Sequence, residues 1–337
     1  MVFPIAKIKA HSLTGRITSA LLWSAFKAVK RNRGAAGIDK VSISMFQANL
    51  AENLAALERD LKDGSFRPLP LRRKFILKEP GKFRPLGIPA VRDRVGQEVL
   101  RRLLHPIFES LFHDASHGFR PGRNCHQALD AALRNHHEGY NFVVDADMAP
   151  LLANIVLNHL DWQLQQRGIR FVRYADDFVL FCRNRADAEE ALRFVTSVLS
   201  TLGLALSPVK TQITTYARGY SFLGFFLSRR SRRMRDKSRR KFKEKVRALT
   251  RRSHNCEAQV LVKLNRVIRG TAQYFATGWF TSRDVFHKLD SWIRMRLRCM
   301  KFKRLSFRDN PRLPDRYYER LGRLSLESFL HQKIGKA

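Results

Sequence analysis

Two adjacent carboxylates, Asp176 and Asp177, sit inside the run Ile169–Cys182, between two short apolar segments rich in aromatic and β-branched residues. That pattern predicts a β-hairpin with the acids at its tip. Like charges side by side gain nothing from packing in an apolar hairpin. They repel unless solvent or a cation stabilises them. A divalent cation does so, and hard carboxylate oxygens suit Mg²⁺. The chemistry implied is metal-assisted phosphoryl transfer. An Asp pair is more commonly a solvated turn, so the rest of the chain has to decide between the two readings.

A second acidic point supports the metal reading. Tyr140–Asp147 reads as a buried strand that ends in acids, with Asp145 and Asp147 on one side of it. A strand-end Asp also serves as a helix cap. If this strand neighbours the hairpin, Asp147, Asp176 and Asp177 converge at one sheet edge. Two Mg²⁺ ions there, ~4 Å apart, activate a 3′-hydroxyl and stabilise a leaving pyrophosphate. Upstream, Lys78 and Arg84 flank the turn at Glu79–Lys82 and are placed to clamp a triphosphate, the arginine bidentately. Lys210 is a candidate proton donor to the leaving group. Taken singly, each of these three cations is more often a solvated surface charge.

The elements that position these residues follow from periodicity. Leu21, Leu22, Ala25, Phe26 and Val29 have helical spacing, and Ser44–Leu61 resumes a helix after the break at Gly34–Asp39. Residues 66–90 read as a strand, a turn and a strand carrying cations. Val95, Val99, Leu103, Leu104 and Ile107 form the stripe of a helix over 91–112. Helices are predicted over 150–167 and about 186–202, on either side of the acidic hairpin. Strand, helix, hairpin and helix around one sheet make an α+β core. His136-His137 is expected in an exposed turn.

Composition bounds the partners. Lys and Arg number 64 against 29 for Asp and Glu, a net charge of +35. A compact chain with that charge repels itself unless a polyanion offsets it, and nucleic acid is the natural one. The density peaks over residues 229–252, where 14 of 24 residues are Lys or Arg, beyond what solubility requires. No apolar run is long enough to span a membrane and no signal-like segment opens the chain, so no membrane partner is expected and the location is expected to be cytoplasmic. Cys125, Cys182, Cys256 and Cys299 are scattered with no CxxC pair, which argues against structural zinc.

Tyr174–Val179 resembles the polymerase signature of group II intron reverse transcriptases, also called intron-encoded maturases. Phe83–Arg94 is similar to that family's fingers motif, His117–Leu129 to the next block, and Val143–Asp147 to the first aspartate motif. Leu202–Thr211 and Tyr220–Phe225 are similar to the last palm blocks, and Gly278–Arg298 to the maturase (thumb) domain. The blocks occur in order over nearly the whole chain. The resemblance implies right-hand polymerase fingers and palm with a small antiparallel sheet over 1–228, then an all-helical basic thumb/maturase domain over 229–337. It implies RNA-directed DNA polymerisation on a template-primer from dNTPs with two Mg²⁺ ions on Asp147, Asp176 and Asp177. Lys78, Arg84, Ala175 and Lys210 would lie at the nucleotide. Arg229, Arg230, Arg232, Arg233, Arg239, Arg240, Lys241, Arg294 and Arg298 would grip template-primer and intron RNA, chiefly through phosphates.

One departure matters. Asp147 is followed by Met148-Ala149 and then directly by Pro150–Asn154. The family has there a helix with two aromatics, a Pro-Gln-Gly block and only then Ser-Pro-Leu-Leu-Ala-Asn. The absent block includes the aromatic that screens against a ribose 2′-OH and a wall of the nucleotide pocket. No Cys/His cluster marks an endonuclease domain. Two functions are therefore expected: an RNA-directed DNA polymerase with a maturase role, or a non-enzymatic RNA-binding protein of maturase type.

Overall fold

Residues 13–79, 81–147, 153–208, 210–252 and 258–334 are described by the computed structural model. Its contacts divide the chain into two units, 1–111 and 112–337.

In the first unit, α1 (Ser19–Arg31) starts where the Thr18 hydroxyl accepts from Leu21 N. It buries Leu22, Ala25, Phe26 and Val29, the stripe its spacing predicts. The helix expected over 44–61 is two helices, α2 (Ile43–Ala48) and α3 (Leu50–Asp63), broken at Asn49 (φ −115°, ψ 45°). Gly64, at φ +78°, ends α3 in the left-handed conformation that glycine adopts without strain. Strands β1 (Arg72–Glu79) and β2 (Lys82–Ile88) form the expected antiparallel hairpin, with a bulge between Leu77 and Glu79. It is a two-stranded sheet whose Phe75, Leu77 and Phe83 are exposed. α4 (Val91–Glu109) closes the unit, and Val91, Val95 and Val99 pack with Leu22, Phe26, Phe46 and Leu57. Full burial of each such side chain stabilises by about 1.5–3 kcal/mol.

The second unit begins with α5 (Cys125–His137), set by a capping box between Asn124 and Gln127. β3 (Phe142–Asp147) follows, then α6 (Ala153–Gln166), β4 (Arg170–Tyr174), β5 (Asp177–Cys182), α7 (Arg185–Thr201) and β6 (Gln212–Thr215). The four strands form one antiparallel sheet in the order β4-β5-β3-β6. Alternate residues of its strands enter two cores. Val144, Ala146, Phe178 and Leu180 face α6 and α7, while Val143, Val179 and Phe181 join the core containing α5.

β7 (Tyr220–Phe222), β8 (Phe225–Leu227) and β9 (Arg232–Met234) make a three-stranded antiparallel sheet. β9 lies inside the segment expected to be all helical. Hydrogen bonding to β8 draws Arg232–Met234 into the sheet despite their charge. From there the chain is helical: α8 (Asp236–Leu249), α9 (Ala258–Phe275), α10 (Arg283–Phe302), α11 (Asp315–Arg320) and α12 (Leu326–Ile334). Phe242, Leu264, Ile268, Phe286, Ile293 and Leu297 continue the core that holds α5, so the four-stranded sheet and the basic helices share one apolar interior. Among the described residues no helix is long and apolar enough to cross a membrane.

Candidate active site

Tyr174 and Asp177 are the last register pair of β4 and β5, so Ala175 and Asp176 form a two-residue hairpin loop. Such loops require positive φ, normally supplied by glycine. Here Ala175 adopts φ +60°, a strained state that persists only if its surroundings enforce it. They do so through Arg173 and Gly118, which Asn154 ties together. Arg173 Nη1 donates to the Ala175 carbonyl at 2.9 Å and to Asn154 Oδ1 at 2.9 Å. Asn154 Nδ2 donates to the Gly118 carbonyl at 2.7 Å. Gly118 lies directly on the loop, where a Cβ would sit 2.3 Å from Ala175 N.

Arg173 is held in turn by Asp161 on α6. Its Nε and Nη2 donate to the two carboxylate oxygens at 2.8 and 2.5 Å, with both side chains buried. Burial pushes the Asp161 carboxyl up, and the Arg173 guanidinium pulls it back down. A bidentate pair satisfies the geometry a buried ion pair needs. The backbone of Arg173 also pairs outward, with its N–H on the Ala115 carbonyl and its C=O accepting from His117 N.

Asp147, Asp176 and Asp177 lie at the same end of the sheet by backbone register. Asp147 is the register partner of Asp177 across β3 and β5. The Asp147 side chain is outside the described residues. Asp176, on the loop, is half-buried and has no hydrogen-bond or ion-pair partner among the described residues. Asp145 lies two residues back from Asp147, opposite Val179, and accepts from Gln212 Nε2 at 3.4 Å. β6 pairs with β3 as far as Asp145–Gln212. Continuing that register two residues places Lys210, exposed in the preceding turn, opposite Asp147. Among the described residues no cluster of three His, Cys, Asp or Glu side chains forms. Carboxylates are nonetheless the donors a hard divalent cation takes, and Asp147 and Asp177 are backbone register partners next to the loop that carries Asp176.

A groove of ≈ 400 Å³ opens beside Asp177. Arg235, Lys241 and Lys245 line it, with Ser238 and Tyr274. Tyr274 Oη donates to the Leu223 carbonyl at 2.7 Å, and Ser238 Oγ to the Gly224 carbonyl at 3.1 Å, fixing the β7–β8 turn in the wall. His126 Nε2 donates to the Tyr274 carbonyl at 2.7 Å. A hydrogen bond with Cys125 and burial push the Tyr174 phenol up to about 12, and burial raises Tyr274 as well. Both phenols stay protonated at neutral pH.

The remaining candidates are more dispersed. Lys78 is in β1 at the bulge, with its side chain outside the described residues, and Arg84 is exposed on β2 opposite Ile76. Arg229, Arg230 and Arg240 are exposed, as is Lys241 in the groove. Arg232 is half-buried on β9. Arg233 and Arg239 pair with Asp236 at 3.1 and 3.0 Å. Arg294 is half-buried, and Arg298 donates to the Leu313 carbonyl at 2.9 Å. His136 is not in an exposed turn. It is buried at the end of α5, stacked on Tyr216 at 3.8 Å, because Nδ1 donates to the Tyr140 carbonyl and Nε2 accepts from Tyr220. Sequence reasoning missed Gly118, Asn154, Asp161 and Arg173 as supports of the loop. The available signal was an arginine inside a buried strand and an aspartate inside an apolar helix, each of which needs a partner.

Residues 146–227 match the reverse transcriptase (RNA-dependent DNA polymerase) family, and residues 239–313 match the group II intron, maturase-specific domain. The chain is 30% identical to protein YkfC of Escherichia coli (strain K12) over 292 aligned residues, covering 58% of this chain and 77% of that protein. Since 58% of a 337-residue chain is far fewer than 292 residues, the alignment opens a large gap in this chain. It is 41% identical over 105 residues to the group II intron-encoded protein LtrA of Lactococcus lactis subsp. cremoris, 31% of this chain and 17% of LtrA. It is 36% identical over 85 residues to nuclear intron maturase 1, mitochondrial, of Arabidopsis thaliana, 24% of this chain and 12% of that protein. The match thus spans less than a fifth of each of these two intron proteins.

Proposed function

The chain belongs to the group II intron reverse transcriptase and maturase family, and we propose that it is an RNA-directed DNA polymerase that also binds intron RNA as a maturase. The observation that carries the reading is the register pairing of Asp147 with Asp177, with unpartnered Asp176 on the loop between β4 and β5. Asp147, Asp176 and Asp177 hold divalent ions, which when bound lower the pKa of a primer 3′-hydroxyl and offset charge on the leaving pyrophosphate. Lys210, at the same end of the sheet, donates a proton to that leaving group. Lys78 and Arg84 orient the triphosphate of the incoming dNTP. The braced Ala175 keeps bulk away from the reacting atoms. Residues 1–228 serve as fingers and palm and 229–337 as thumb. Lys241 and Lys245 beside Asp177, with exposed Arg229, Arg230 and Arg240, neutralise template-primer and intron RNA phosphates.

The test is primer extension on an RNA template with Mg²⁺ and dNTPs, comparing the wild type with Asp176→Ala. The expected result is extension by the wild type alone, and equal incorporation by both sinks the polymerase assignment. The short stretch from Asp147 to Asn154, where the family carries a longer block, favours a second reading, an RNA-binding maturase-like protein that no longer polymerises. It predicts salt-sensitive RNA binding that Asp176→Ala leaves unchanged, with no extension by either protein.

A further inference from the structure

A cavity of ≈ 520 Å³ lies away from the acids. It opens at the start of β4, on the outer edge of the sheet, between α5, the turn before β4 and residues 113–117. That volume lies within the usual range for small-molecule sites. Ala115, Ala131, Ile169, Phe171 and Val172 make up its apolar lining. β4 is the edge strand. Arg173 turns its N–H and C=O outward to Ala115 and His117. By the alternation of an antiparallel ladder, Phe171 turns its own donor and acceptor to the same side, toward the cavity.

The rim is cationic and pre-organised. Arg123 is held by Asp114 at 2.6 Å. Arg170 pairs with Glu138 and lies 4.7 Å over the Tyr140 ring. Arg134, exposed on α5, has no carboxylate partner among the described residues. His117 also lines the cavity. It is 4% exposed, and neither ring nitrogen has a hydrogen-bond partner. Burial first, then the nearby Arg123, Arg120 and Arg134 guanidinium groups, push its pKa down to about 4. At neutral pH the ring therefore offers one donor and one acceptor within a positive field. A buried polar ring without a partner is costly unless something completes it.

We propose that this cavity binds one unpaired nucleotide of an RNA strand, its base on the apolar lining and its phosphate at Arg134. An apolar lining beside an outward backbone donor and acceptor suits a splayed-out base, and single-stranded RNA is recognised through such bases. A free guanidinium at the rim suits the phosphate. The proposal rests on the RNA-binding reading above and adds to it a site separate from the polymerase acids, which lie past the other end of β4.

The test titrates the full chain with AMP, GMP, CMP, UMP and inorganic phosphate by saturation-transfer NMR, with Asp176→Ala, Arg134→Ala and Ala131→Phe in parallel. Folding of each variant is checked by circular dichroism. At least one nucleotide is expected to bind saturably and better than phosphate. Its affinity should fall about tenfold in Arg134→Ala, as for loss of one charged phosphate contact, and vanish in Ala131→Phe, which adds bulk to the lining. Asp176→Ala should leave it intact. Phosphate competing as well as any nucleotide, or folded Ala131→Phe binding normally, overturns the proposal. Loss of all single-stranded RNA binding by the wild type would instead remove the RNA-binding reading, whereas RNA binding without nucleotide binding removes only this site.

Discussion

Gly118→Ala should disable the acidic loop without touching an acid. A Cβ at position 118 would stand 2.3 Å from Ala175 N, 2.9 Å from Tyr174 C and 3.1 Å from Ala175 Cα. All three are backbone atoms, so no side-chain rotation relieves the clash. Ordinary contact requires the loop to retreat by about 1 Å, and a misplacement of that size at a reacting centre costs on the order of 100-fold in rate. Arg173 also holds the Ala175 carbonyl, so the retreat strains that hydrogen bond as well. The assay is primer extension, with Mn²⁺ affinity followed by electron paramagnetic resonance as a readout independent of turnover. The variant should lose about two orders of magnitude in extension and bind Mn²⁺ more weakly, while retaining RNA binding. Wild-type Mn²⁺ affinity in a folded Gly118→Ala protein would refute the argument that Gly118 sets the loop.

Three further outcomes follow from the same geometry. Arg173→Met strands the fully buried Asp161 carboxylate, so unfolding in urea should show a loss of about 3–5 kcal/mol, and adding Asp161→Leu should recover part of it. His136 has a folded pKa lowered to about 4 from 6.5 by burial. The unfolded chain therefore binds the extra proton between those values, and the contribution is complete above pH 6.5 and lost as pH falls toward 4. At 1.36 kcal/mol per unit this is about 3 kcal/mol, and His136→Gln should flatten that part of the stability–pH curve. Lys241→Ala with Lys245→Ala, both beside Asp177, should lower the slope of log K against log salt for single-stranded RNA by about 1.4.

The strands and acids were legible in the sequence because their signals are local. Alternation and β-branched residues around Asp176-Asp177 predict the hairpin, and the observed strands β4 and β5 begin and end within a residue or two of it. The helical stripe of α1 is likewise a matter of spacing. The single helix expected over 44–61 failed at Asn49, whose short polar side chain carries no periodic signal. What sequence could not supply was partnership. Arg173 and Asp161 are twelve residues apart, and Gly118 and Ala175 meet only through the fold. His136 looked exposed because its neighbour His137 and Glu138 are polar. Its burial depends on Tyr216 and Tyr220, which arrive from beyond the sheet.

The short stretch between Asp147 and Asn154 and the pairing of Asp147 with Asp177 are compatible for a structural reason. β3 is an interior strand, paired with β5 along Phe142–Asp147 and with β6 along Phe142–Asp145. Its position is set by those two neighbours and by Val143 and Val144 in the cores on its two faces, not by the residues that follow Asp147. The loop carrying Asp176 is likewise set from behind, by Gly118, Asn154 and the Arg173–Asp161 pair. On the proposed function, a short connection between β3 and α6 would leave the Asp147–Asp177 pairing in place, while any wall that a longer connection adds to the nucleotide pocket would be lost. On the proposed function, metal affinity and polymerisation would therefore depend on different parts of the chain. That is why an assay of ion binding at the acids and an assay of primer extension are separate questions for this protein.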